Sequence, residues 1–190
     1  MITPFTLASL PVTPWKNGTG ETREIVSIPS ADAPFLWRAS IATLGQDGPF
    51  SLFPGVDRII MLLAGSGLWL RGDDLLHRLE PGVLWAFPGE WPLASEGSSG
   101  PGMDFNVMTQ RSRARAQVII ATSALRPGAE GIAYVLNGHW QLAGNHCSPA
   151  SGIWWQGETP GELVPHSEEA SLLLAEIRRH DERTDRSADE

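Results

Sequence analysis

The chemistry in this chain concentrates first in residues 14–24, where Lys16, Asn17, Glu21, Thr22, Arg23 and Glu24 put an ammonium, a carboxamide, a hydroxyl, a guanidinium and two carboxylates within eleven positions. Lys16 is the only lysine in the sequence, against thirteen arginines, so the one compact ammonium falls inside this polar run. Further along, Arg38 and Ser40 sit two residues apart, as do Asp104 and Asn106, with Ser51 and Arg58 between these pairs. Guanidinium and ammonium groups beside neutral donors are what a carboxylate receptor needs, because the guanidinium fork matches the two carboxylate oxygens. Phe50 and Phe53 flank Ser51 and could supply apolar walls or ordinary core. Two plainer readings stand beside the receptor. The first stretch could be a solvated turn whose Trp15 packs on the core, and Asp104 could form a buried ion pair with Arg38 or Arg58 that serves only the fold.

The elements that would position these residues are strands. Residues 35–44 alternate so that Trp37, Ala39 and Ile41 face one way while Arg38, Ser40 and Ala42 face the other. Residues 103–108 alternate likewise, with Asp104, Asn106 and Met108 on one face and Met103, Phe105 and Val107 on the other. The run 22–26 predicts a strand leaving a turn at Gly18 and Gly20, and 56–64 with 68–70 predicts a hairpin about Gly65. Twenty glycines and fifteen prolines are spread along the whole chain and punctuate short segments, the pattern of an all-β sandwich or barrel.

A weak internal repeat supports that architecture. The segment about Gly65 is echoed about Gly138, and residues 82–85 are echoed at 152–155, at offsets of 73 and 70 residues. The order of glycine hairpin, Pro-Gly turn and Phe87-Pro88-Gly89 resembles a cupin jelly roll. The expected division is a first module over 1–111 carrying the motifs, a second over 112–177 packed on it, and a mobile polar tail over 178–190, which holds no apolar residue larger than alanine.

Several ordered blocks resemble the HutD/Ves family. They are Pro14-Trp15-Lys16-Asn17-Gly18 with Thr22-Arg23-Glu24, Trp37 to Ala42, Asp47-Gly48-Pro49-Phe50-Ser51 with Phe53-Pro54-Gly55 and Arg58, and Asp104 to Met108. The family usually carries three glycines after the asparagine, and Thr19 replaces the middle one here. The resemblance implies a bicupin linked to bacterial histidine utilisation, a non-catalytic protein that senses or buffers a small acid of that pathway.

Composition sets the outer bounds. At 190 residues with 42% hydrophobic content, the chain can bury a proper core. A formal charge of −8 gives no general attraction for nucleic acid. One cysteine excludes an intramolecular disulfide, the N-terminus lacks a signal-peptide pattern, and no run approaches the ~20 apolar residues of a membrane span, so the expected compartment is the cytoplasm. The histidines are scattered, and the histidine that a metal-binding cupin would place after Phe87-Pro88-Gly89 is replaced by Glu90, so neither metal nor other cofactor is expected. The expected ligand-binding set is Lys16, Asn17, Thr22, Arg23, Arg38, Ser40, Phe50, Ser51, Arg58, Asp104 and Asn106, with a small carboxylate as ligand and a homodimer as an open option. The competing class is a small metal-independent hydrolase or isomerase using Asp104 or Glu24 as acid/base, with no catalytic residue assigned.

Overall fold

The alternating sequences form strands whose two faces enter different cores. In the computed structural model, which describes residues 1–180, the chain begins with β1 (Ile2–Thr6), a single 3-10 turn at Leu7–Ser9, β2 (Val12–Pro14), β3 (Gly20–Ile28), β4 (Trp37–Leu44) and β5 (Val56–Ala64). It continues through β6 (Leu68–Arg71), β7 (Leu76–Leu79), β8 (Leu84–Pro88), β9 (Ala94–Glu96), β10 (Gly102–Gln110) and β11 (Ala114–Ala121). The remainder is β12 (Glu130–Asn137), β13 (Trp140–Leu142), β14 (Asn145–Cys147), β15 (Ser151–Gln156), β16 (Val164–Pro165) and β17 (Ser171–Arg179).

These strands make a six-stranded sheet ordered β2-β3-β4-β10-β5-β8, a five-stranded sheet ordered β1-β15-β12-β17-β11, and two three-stranded sheets, β7-β6-β9 and β14-β13-β16. The order β4-β10-β5-β8 with β7-β6-β9 recurs as β11-β17-β12-β15 with β14-β13-β16. Each large sheet with its small companion encloses a barrel interior: Ile60, Leu62, Leu70, Leu79 and Phe87 in the first, and Val135, Trp140, Ile153, Trp155 and Leu172 in the second. A third cluster lies between the large sheets, where Trp37, Ile41, Phe105 and Val107 of one meet Ile132, Tyr134, Leu173 and Ala175 of the other. The Trp37 indole donates to Glu130 Oε1 at 2.9 Å, and Arg179 holds the same carboxylate from the other side. That carboxylate therefore ties β4 to both β12 and β17.

Several sequence-based boundaries shift. The division at residue 111 assigns β1 to the first module, yet β1 pairs antiparallel with β15 in the second sheet along its whole length. The expected tail start at 178 falls inside β17: Arg178 and Arg179 continue the strand, and the His180 N–H donates to the Arg113 carbonyl. Residues 181–190 lie outside the described residues. The second echo is also offset by two. Trp85 pairs with Ile60 as Ile153 pairs with Ala133, so Ala150, not Gly152, is the counterpart of Gly82, and both adopt positive φ (66° and 75°). Among the described residues no helix is long and apolar enough to cross a membrane.

Phe105 is 1% exposed at the centre of the inter-sheet cluster, its ring 5.7 Å from that of Tyr134. Phe105→Ala empties that volume and is expected to lower unfolding free energy by about 3–5 kcal/mol in a urea titration. A loss below about 1 kcal/mol would show that the two sheets do not depend on this packing.

Candidate functional site

The inner faces of β4, β5 and β10 converge with the loop between β2 and β3 on a cavity of ≈ 490 Å³ in the mouth of the first barrel. Alternation decides who points there. Arg38, Ser40 and Ala42 of β4 and Asp104, Asn106 and Met108 of β10 line it, while Trp37, Ala39 and Ile41 and Phe105 and Val107 turn into the inter-sheet core. Register then stacks the rows across three strands: Arg38, Met108 and Arg58 lie side by side, as do Ser40, Asn106 and Ile60, and Ala42, Asp104 and Leu62.

Arg58 is the buried pole of the site. Its side chain is 6% exposed, its Nη2 donates to Asn106 Oδ1 at 2.6 Å, and the Asn106 carboxamide in turn donates to Asp104 Oδ1 at 2.8 Å. Arginine and aspartate thus communicate through an asparagine. The guanidinium lies 5.0–5.6 Å from the ring centroids of Phe50, Phe53 and Phe87, a cation–π enclosure that replaces part of its lost hydration. Its Nε is buried and has no hydrogen-bond partner. Burial holds the guanidinium down to about 10, against the pull of Asp104. Burial also pushes the Asp104 carboxyl up to about 7, while Arg58, the Ala42 backbone and Asn106 act in the opposite direction.

The rim is built by the loop expected from sequence. Gly18 adopts φ 73°, and Gly20 packs so closely on the Thr43 carbonyl and the Trp15 ring that an added Cβ would collide with both. The Trp15 indole donates to Thr22 Oγ1 at 2.7 Å, standing its ring against the first barrel's core as a cavity wall. Thr19, the residue at the glycine position, donates to Asn17 Oδ1 from its backbone N–H at 3.1 Å and its hydroxyl at 2.7 Å. Its carbonyl accepts from Gly45 and Gln46. The hydroxyl therefore organises the loop that presents exposed Lys16. Arg38, opposite, is held by Glu24 at 2.8 Å, which occupies the carboxylate considered above as a possible acid/base.

Of the eleven expected residues, ten line this cavity: Lys16, Asn17, Thr22, Arg38, Ser40, Phe50, Ser51, Arg58, Asp104 and Asn106. Arg23 does not. One step from Thr22 along β3, it points to the opposite face, where its guanidinium lies 3.7 Å from Glu21. Strand alternation carries that signal in the sequence, since Thr22 and Arg23 cannot both face inward. Sequence reasoning left Thr13, Pro14, Leu44 and Pro49 out of the lining and gave Trp15 a packing role alone; Phe87 encloses Arg58 from the return strand β8. Glu90 joins an exposed network, accepting from Arg111 at 2.6 Å and from the Gly55 N–H at 2.9 Å. His139, His146 and His166 gather on the second barrel with ring centroids 5.5 Å and 6.4 Å apart. Among the described residues no three His, Cys, Asp or Glu side chains are placed to hold a metal ion.

The second barrel has the same positions with different occupants. Where the first has Arg38, Met108 and Arg58, the second has Gln117, Glu176 and Gly131; where it has Ser40, Asn106 and Ile60, the second has Ile119, Leu174 and Ala133; where it has Ala42, Asp104 and Leu62, the second has Ala121, Leu172 and Val135. The Trp155 ring lies 3.0 Å from where a Cβ on Gly131 would stand, filling the place that Arg58 takes in the first barrel.

Asp104 gives the site a pH signature. Its folded value is raised, so the folded state retains a proton that the unfolded chain releases near pH 4, and stability falls as pH rises from about 4 to about 7. Asp104→Asn is expected to flatten that part of the stability–pH curve measured by thermal denaturation. An unchanged slope would mean that Asp104 is ionised in the folded protein.

A model of the family described as HutD matches residues 8–173. The chain is 41% identical over 177 residues to Protein Ves of Cronobacter sakazakii, covering 91% of this chain and 97% of that protein. Among solved structures it is similar to HutD from Pseudomonas fluorescens SBW25 in a formate condition, with TM-score 0.86 and 24% identity over 95% of this chain and 100% of that one. It also resembles a cupin 2 conserved barrel domain protein from Leptotrichia buccalis, with TM-score 0.62 and 9% identity over 92% of this chain and 96% of that one, a likeness of fold alone. The fold is all-β and cupin-like, and the chain belongs to the HutD family.

Proposed function

We propose that this protein is a non-catalytic, HutD/Ves-type binding protein that senses or buffers a small carboxylate of histidine catabolism, of the urocanate or formylglutamate type, in the cytoplasm, and so modulates that pathway. The observation that carries the reading is Arg58: a residue 6% exposed that lines a cavity, its guanidinium enclosed by three aromatic rings and held by one side-chain hydrogen bond. A guanidinium held by a single side-chain hydrogen bond offers its fork to the two oxygens of a carboxylate. Lys16 and Arg38 at the mouth add positive charge within an otherwise acidic chain, and Ser40, Ser51 and Thr22 supply hydroxyls. A volume near 490 Å³ falls within the range of ordinary small-molecule pockets. The two barrels are read as products of one internal duplication, of which the first kept the receptor.

One observation favours a second reading. A carboxyl pushed up to about 7 at the cavity wall is poised to exchange a proton near neutral pH, as a metal-independent hydrolase or isomerase would require. Turnover separates the two.

A thermal-shift screen against small carboxylates, followed by calorimetry and an assay for consumption of the same compound, is expected to find binding without turnover. At a hundred times its dissociation constant the ligand adds about 2.7 kcal/mol of stability. Lys16→Ala and Arg38→Ala are each expected to weaken binding about tenfold or more while moving the melting temperature little. Affinity should fall as pH rises through about 7, because ionised Asp104 repels the anion. Turnover would replace the binding reading with the enzyme, and unaltered affinity in both variants would remove the ligand from this cavity.

A further inference from the structure

The two large sheets have four edge strands, and three are blunted. β2 has three residues and ends on Pro14, β8 has five and ends on Pro88, and β1 carries Pro4 at its centre. Proline removes a ladder donor, and short strands offer little to pair with, which is how natural sheets protect open edges. β11 has neither protection. It runs for eight residues, Ala114–Ala121, without proline, glycine or lysine, and it pairs with β17 at every position without a bulge.

The repeated strand order shows what belongs beside it. The counterpart of β11 is β4, whose outer side is covered by the nine residues of β3. Among the described residues no strand pairs with that side of β11. The strand exposes Ile119 and Ile120 at 40% and 36%, one on each face of the sheet.

We propose that β11 pairs antiparallel with β11 of a second copy, joining two five-stranded sheets into one of ten strands about a two-fold axis. A two-fold axis perpendicular to the sheet brings together residues that share a face, so pairing centred on Val118 sets Gln117 beside Ile119 of the second copy and Arg115 beside its Ala121. No like charges meet directly, and each Ile119 side chain gains a neighbour in place of water. The cavity of the first barrel lies on the other large sheet, so this interface is independent of ligand binding.

Sedimentation velocity and light scattering of the whole chain test the pairing. The wild type is expected at twice the mass of one chain. Ile119→Lys is expected to halve that mass with an unchanged far-UV circular dichroism spectrum. Should Ile119→Lys fail to fold, Ile120→Lys on the opposite face gives the same reading. A monomeric wild type at about 100 μM overturns the proposal and leaves the edge to a strand from another protein, and so does a dimer that survives in the folded lysine variants.

Discussion

The site depends on a guanidinium held almost dry. Arg58 has exchanged water for one hydrogen bond to Asn106 and the faces of Phe50, Phe53 and Phe87, and the rest of the first barrel's mouth is arranged around that exchange. Asn106 matters because it prevents a direct ion pair. By accepting from Arg58 and donating to Asp104 it keeps the two charges linked without letting either cancel the other, and burial then pushes Asp104 toward its protonated form. A buried arginine facing an ionised aspartate would be a closed structural pair. With the aspartate pushed toward its protonated form, the arginine keeps more of its charge for an anion.

The second barrel shows what the same framework looks like without this interaction. Its strands repeat the order and register of the first, yet Gly131 stands in place of Arg58, leucines stand in place of Asp104 and Asn106, and Trp140 and Trp155 fill the interior. Apolar volume stabilises that barrel directly, by burial worth about 25 cal/mol per Å². The first barrel gives up part of that burial for a cavity. Its remaining apolar residues, Ile60, Leu62, Leu70 and Leu79, lie deeper, and the inter-sheet cluster about Phe105 and Tyr134 braces its wall from behind. A polar site is tolerated on one face of β10 because the other face is packed solid.

Much of this was legible from residue order alone. The period-2 pattern in 37–42 and 103–108 separates the faces correctly, because a strand has no freedom to turn one residue without turning its neighbours. The same rule, applied to Thr22 and Arg23, would have removed Arg23 from the site. What stayed hidden depends on long-range pairing. Nothing local in residues 2–6 says that the strand pairs with residues 151–155, and nothing local assigns Trp37 to Glu130. The Gly82 echo misleads by two residues because Ala150 adopts a conformation usually left to glycine. That Asn106 stands between Arg58 and Asp104 required the register of three strands, which the sequence does not carry.

The most direct measurement is a carbon-13 NMR titration of the Asp104 side-chain carboxyl, with and without a bound small carboxylate. The account predicts a free-protein midpoint near 7 that rises when the anion binds, because a second negative charge in the same dry cavity disfavours ionisation. A midpoint near 4, or one indifferent to the ligand, would contradict it: Asp104 would then be an ordinary ionised partner of Arg58, and the cavity would hold no spare positive charge to receive an anion.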